Sequence, residues 1–305
     1  MNMDDNTKSP DEIINIFQDE FTEIPEHIQF LYDIAPTSLQ GHYTMWNHLF
    51  KEPSEGGAIP RRYKALIAMS IAKAARNKNS ALWWTKVAMH WGLKLEELTE
   101  NVCFNLTGQG LGTFIDIGSE CLKYAIELQP QLDIDYEQLE PMPELTTYHH
   151  LGDKLKDLDA EIFPVLIENI VEPSNEEEEK IHAYFQKSFN APMPEFWALL
   201  GKESLEMLEG YFLLRKETMK REEEGGFTPK IIKELNAVAI DTLLHNDWGG
   251  TAHLRAALVN GATIEQVREI EGLVIMEAGM VAYKMSGVAF VKSAAAYLEQ
   301  LPLIE

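Results

Sequence analysis

Basic residues are scarce in this chain. Its 26 lysines and arginines face 49 aspartates and glutamates, a net charge of −23. Nucleic acids and anionic lipid surfaces are gripped by clustered Lys and Arg. A nucleic-acid partner and a membrane partner are therefore not expected. Cysteine is scarcer still, with only Cys103 and Cys121. Two cysteines at that separation build no disulfide scaffold, no C-x-x-C redox pair and no structural zinc site. Reduced thiols within helices are the expectation. Long apolar runs are missing too. None reaches the roughly 18 residues of a membrane span, and the best candidate, Gly272 to Tyr283, is broken by Glu277. The opening MNMDDNTKSPDEI is acidic and polar and does not read as a signal peptide. A cytoplasmic location is expected.

What the chain does have is a repeat. Within its 305 residues, room for about two domains or one large one, a shift of 169 positions gives a long ungapped match, with Gly41 falling on Gly210. Pro25-Glu26 then falls on Pro194-Glu195, Glu55-Gly56-Gly57 on Glu224-Gly225-Gly226, and Pro60 on Pro229. Lys64, Leu66, Ala68 and Ile71 fall on Lys233, Leu235, Ala237 and Ile240. Asn77, Ala88, Gly92, Gly110 and Gly118 meet Asn246, Ala257, Gly261, Gly279 and Gly287. Turn-formers and apolar positions are what one fold written twice retains. Two copies are too few for a solenoid, so tandem domains are expected. We place the first at 1–130, a helical and acidic linker at 131–190, and the second at 191–305. Within the linker, Leu151–Val171 reads as amphipathic, and Glu176–Glu179 reads as a solvated helix start.

The fold class expected is all-α. In the second copy, Thr228-Pro229 reads as a cap followed by proline at the first helical position. The helix KIIKELNAVAIDTLLH follows, then a break from Asn246 to Gly250. The next helix, TAHLRAALVN, stops at Asn260-Gly261. Thr263 to Gln266 is a capping box opening a third helix to Ala278. Gly279 ends it, and a fourth helix runs to about Leu298.

The helix after Pro229 is apolar around most of its circumference, as a buried helix is. Glu234, Asp241 and His245 interrupt it. At about 100° per residue, all three lie within about 20° of one line. Buried titratable groups need partners and have perturbed pKa values. His253 on the next helix shares its face with Ala256, Ala257 and Asn260, which leaves room for a ligand or for close helix packing. His245, Asn246, Trp248 and Gly249 gather hydrogen-bonding groups and an aromatic between the two helices. Structural roles compete at each position. His253 could be a core histidine satisfied by Glu234, Asp241 and His245 a surface pair, and Trp248 plain packing. Arg255 lies about 200° around from His253 and is expected to point elsewhere.

The first copy weighs on this choice. It has Ala65, Ala72, Arg76 and Trp84 where the second has Glu234, Asp241, His245 and His253. The apolar framework is kept while the polar stripe is erased. A purely structural need for Glu234 and His253 would be felt in both copies. The first copy thus reads as degenerate, with Trp83, Trp84 and Trp91 filling space, although it can still wall the second copy's pocket.

The segment from His253 to Thr263, HLRAALVNGAT, followed by Glu265-Gln-Val, resembles the signature helix of the carboxymuconolactone decarboxylase and alkylhydroperoxidase-D-like superfamily. Lys233-Glu234-Leu235 is similar to its glutamate-bearing helix. The resemblance covers the core of the second copy, and the first only through the repeat and the turn Gly92 to Glu97. It implies all-α domains assembled as homo-oligomers, here a trimer of tandem chains or a dimer. The peroxidase branch carries a C-x-x-C just before the histidine. Those positions are Asn246 and Gly249, and Asn77 and Ser80 in the first copy. Peroxidase chemistry of that kind requires a thiolate, so it is disfavoured.

The leading expectation is a cofactor-independent acid–base enzyme of carboxy-lyase type. It would act on a small organic acid or lactone by decarboxylation or a related proton transfer. His253 would be the acid or base and Glu234 its orienting partner, while His245, Asn246, Asp241, Trp248 and Gly249 bind the substrate. A negative chain with few cations near this stripe suits a neutral substrate. Two readings stand beside it: a binding or scaffold protein that kept the fold alone, and a metal site of His245, His253, Asp241 and Glu234. The last fits no standard ligand spacing, and the pair His149-His150 is weaker still. No metal and no cofactor are expected.

Overall fold

The computed structural model describes residues 7–144, 160–168, 170–189 and 193–300. These residues are helical throughout, with no strand beyond an isolated bridge between Ile170 and Pro194. No helix among them is long and apolar enough to cross a membrane. Residues 151–159 of the amphipathic segment and the pair His149-His150 lie outside the described residues.

Three helices open the chain: Pro10–Phe21, Glu26–Ile34 and Pro36–Leu49. Ser9 starts the first with a full capping box, its hydroxyl accepting from the Glu12 N–H while the Glu12 carboxylate accepts from its own. The core helices follow as Arg61–Ala74, Lys78–His90 and Leu95–Thr113. Their counterparts lie 169 residues on, as Lys230–Leu244, Asp247–Val259 and Ile264–Ala278. The correspondence reaches fine detail. Single-turn 3-10 helices at Pro53–Glu55 and Glu222–Glu224 match, as do π-helical turns at Phe114–Gly118 and Tyr283–Gly287. Left-handed backbone recurs in register, at Gly92 (φ 87°) and Gly261 (φ 98°), and at Arg76 (φ 58°) and His245 (φ 54°). Among the glycines that matched in sequence, the pairs Gly56 and Gly225, Gly92 and Gly261, and Gly110 and Gly279 take positive φ, where a Cβ would be strained.

The two halves are not separate beads. One continuous apolar core takes in Leu49, Leu66 and Trp84 from the first and Leu235, Leu254 and Leu273 from the second. Gly272 packs so tightly on the first half that a Cβ there would stand 2.5 Å from Leu49 Cδ2. Each half also clasps the other through one carboxylate. Glu100 accepts from the backbone N–H groups of Phe227 and Thr228, and pairs with Lys233 Nζ at 2.7 Å. Glu269, its counterpart, accepts from Ala58 and Ile59 and pairs with Lys64 Nζ at 2.9 Å. Both lysines are buried. Such ions persist away from water only when paired and hydrogen-bonded. Each also donates to backbone carbonyls, Lys64 to Leu49 and Lys51, Lys233 to Lys220.

Three boundaries differ from the sequence reading. Pro229 is itself the cap residue of the Lys230 helix, and Thr228 gives it no side-chain cap: its hydroxyl donates to the Glu97 carbonyl and its N–H to Glu100, both in the other half. The break before the next helix is shorter than expected. Asn246 caps it by accepting from the Gly249 N–H, so Trp248, Gly249 and Gly250 fall in its first turn. After Gly279, one helical turn (Met280–Ala282) and the π-turn precede the last helix, Val288–Gln300. The acidic run does open a helix, Glu176–Phe189, with Asn175 accepting from the Glu178 N–H. Both cysteines are free thiols.

Candidate functional site

The Lys230–Leu244 helix is buried along nearly its whole length because it packs between both halves. Glu234 points from it into the interior with 2% of its surface exposed. Its two oxygens are held separately. Oε2 contacts His253 Nδ1 at 2.6 Å, and Oε1 contacts Lys230 Nζ at 2.7 Å. Burial pushes the carboxyl pKa up, but Lys230, the His253 hydrogen bond and charge, and Arg215 together outweigh it. Glu234 is therefore held well below the usual carboxylate range and stays ionised. An ionised acceptor on Nδ1 makes that nitrogen the proton carrier. Nε2 is then the basic nitrogen of the ring.

His253 lines a cavity of about 300 Å³. Asp241, two helical turns on from Glu234, lines it as well. Asp241 accepts from Asn246 Nδ2 at 2.9 Å. Burial raises its pKa to about 6, against the pull of His253 and of the Asn246 hydrogen bond. The cavity thus holds an imidazole and a carboxyl in different environments, the arrangement that can divide acid and base roles. Behind it, Thr242 Oγ1 donates to Glu271 Oε1 at 2.8 Å, and burial raises Glu271 to about 7. Glu271 does not line the cavity.

The remaining walls are mostly aromatic. Trp248 meets Phe196 edge-on with centroids 5.2 Å apart. Tyr211 and Trp197 close another side. The first half contributes directly: Phe104 and Asn105 of the Leu95–Thr113 helix line the same space. The Phe104 ring stands perpendicular to the His253 imidazole at 6.5 Å. A Cβ at Gly249 would run into Asn246 Nδ2 and stand 2.8 Å from Asp241 Oδ2, so both side chains would have to shift.

Of the residues singled out in the sequence, Glu234 and His253 form the contact, and Asp241, Asn246, Trp248 and Gly249 line the cavity beside them. His245 does not. It takes the left-handed conformation that ends the helix and is exposed, so the line drawn through Glu234 and Asp241 stops before it. Asp241 bonds to Asn246 instead. Arg255 is buried and does not line the cavity. The cations that matter, Lys230 and Arg215, escaped the sequence reading. Lys230 was findable, four residues before Glu234 on one helix. Arg215, Phe104, Tyr211 and Phe196 come from helices distant in sequence, and no local spacing marks them. Among the described residues, no group of three or more His, Cys, Asp or Glu side chains is placed to hold a metal ion.

No family model and no curated protein matches the chain. Among solved structures, it is similar to a putative carboxymuconolactone decarboxylase from Burkholderia xenovorans LB400. The identity is 24%, the match covers 42% of this chain and 96% of that one, and the TM-score is 0.39.

Proposed function

We propose that this protein is a cofactor-independent acid–base enzyme, in which His253 moves a proton to or from a small substrate held in the cavity it lines. The observation that carries the reading is the 2.6 Å contact between His253 Nδ1 and an ionised, buried Glu234. A carboxylate in that position orients the ring, fixes its tautomer and stabilises the imidazolium formed when Nε2 takes a proton. Asp241 supplies a second exchangeable proton. At mildly acidic pH its neutral carboxyl can donate a hydrogen bond to a carbonyl, the site of charge build-up in enolisation and decarboxylation.

Among the described residues, neither lysine nor arginine lines the cavity. Lys230 is engaged by Glu234. This favours a substrate that is uncharged at its reacting end, such as a lactone or another carbonyl compound with an acidic α-hydrogen. The sequence resemblance to carboxymuconolactone decarboxylases agrees with such chemistry.

The test is deuterium exchange from solvent into a panel of small lactones and ketones, followed by proton NMR. Wild-type protein should catalyse exchange for at least one compound. His253→Ala should slow it by roughly 100-fold or more, the usual share of a general base. Undiminished exchange in a folded His253→Ala protein would overturn the assignment. Saturable binding of a compound with no exchange and no turnover would favour a binding protein that kept the fold alone.

A further inference from the structure

The first half is not a filled relic. A second cavity, of about 640 Å³, lies there. Asn77, Ser80 and Trp84 line it at the positions where Asn246, Gly249 and His253 line the other. His27 and His42 replace Phe196 and Tyr211. Trp84 does pack as expected, stacked on Trp46 with centroids 5.3 Å apart, but both indoles border open space.

The acid of this cavity sits in a different place, because Ala72 stands at the position of Asp241. Glu277 stands where its sister has Gly108, and brings a carboxyl across from the second half. Trp46 stands at the position of Arg215, which acts on Glu234 and does not line the sister cavity. Glu277 accepts a hydrogen bond from Ser80 Oγ at 2.8 Å. Burial pushes its pKa up, against the pull of Ser80 and the Trp84 indole, and no cationic side chain acts on it. Lys86 and Lys78, on the helix that carries Ser80 and Trp84, pair with Glu23 and Glu120. The two histidines do not compensate. Both are shifted below the ordinary imidazole value, although His27 stays exposed at the rim, and both are neutral at pH 8. Glu23 and Glu26 also border the cavity. The indole N–H of Trp83 is buried there without a partner.

A carboxylate withdrawn from water without a counter-charge is costly. A cation entering the cavity removes that cost and also meets the negative faces of the indoles. An anion would be repelled by Glu277, Glu23 and Glu26. We propose that this second cavity binds a small organic cation, a protonated or quaternary amine, with its charge against Glu277 and its alkyl groups on Trp83, Trp84 and Trp46. The proposal goes beyond the His253 chemistry and does not depend on it.

Calorimetric titration of the full chain at pH 8 with benzyltrimethylammonium tests this. Benzyl alcohol and benzoate serve as the uncharged and anionic controls. Saturable binding of the ammonium probe alone is expected. Glu277→Gln should weaken it at least roughly tenfold, the effect of deleting one close charge in a partly dehydrated site. His253→Ala should leave it unchanged, which separates this cavity from its sister. Trp83→Leu, at a half-buried indole, should weaken it several-fold, and it decides the matter if circular dichroism shows Glu277→Gln to be misfolded. Absence of saturable binding below about 10 mM, equal binding of benzyl alcohol, or full affinity in a folded Glu277→Gln protein would each overturn the proposal.

Discussion

Asp241 and Glu234 sit on one helix face, yet their environments drive them in opposite directions. Lys230 and His253 keep Glu234 ionised, while burial raises Asp241 to about 6. A protonated Asp241 can donate to a substrate carbonyl, and an ionised one cannot. Affinity for a neutral carbonyl ligand should therefore fall as pH rises through about 6. Asparagine donates at every pH in this range. Asp241→Asn should bind with a flat profile between pH 5 and 8, read from KM or Kd, and an unchanged slope would show that another group titrates. The Glu234–His253 pairing was legible in the sequence because helical period and a missing counterpart in the first half both marked it. The companion cations and the aromatic walls were not, since contacts between distant helices leave no local spacing.

At the level of the helix, first turns decide the shape of the site. Gly249 lies in the opening turn of the Asp247–Val259 helix, with Asn246 and Asp241 pressed against its Cα. Gly249→Ala should displace the Asn246 side chain and cost about 1–3 kcal/mol, the usual toll of overpacking. The loss should appear in both thermal melting and substrate affinity. The boundary was misjudged because two adjacent glycines read as a break, whereas the Asn246 cap carries the helix through them. A second element-scale prediction concerns Glu271, 1% exposed on the Ile264–Ala278 helix and raised to about 7. A carboxyl raised on folding favours the native state below its ordinary value of 4.5 and loses that contribution as pH climbs through about 7. Glu271→Gln does not titrate and keeps a hydrogen-bonding group beside Thr242. The variant should gain on wild type across that window, by about 3 kcal/mol at pH 8, and the gain should vanish near pH 4.5. Urea unfolding at a series of pH values measures it.

At the scale of the molecule, the repeat was plain in the sequence, but the way the two copies lock together was not. Lys64 and Lys233 stood out as a conserved match between copies, and buried lysines require acids. Their acids, Glu269 and Glu100, are on the opposite copy, which a search for local pairs passes over. Removing one partner of such a pair leaves a buried ion exposed to its full desolvation cost, about 3–5 kcal/mol. Glu100→Gln should therefore destabilise by an amount in that range and loosen the loop around Phe227. Lys233→Met combined with Glu100→Leu should recover much of the loss. Denaturant unfolding of wild type, Glu100→Leu, Lys233→Met and the double variant forms the necessary cycle.

The Leu95–Thr113 helix belongs to one half by chain order and walls the other half's cavity through Phe104, Asn105 and Gly108. Glu277 makes the reverse crossing. Ownership of each cavity is thus split across the chain, and neither half could be inherited alone with its chemistry intact. Recombination that exchanged only one half with a relative would hand the recipient two altered pockets at once. Because each cavity borrows a wall from the other half, a change in either half reaches both.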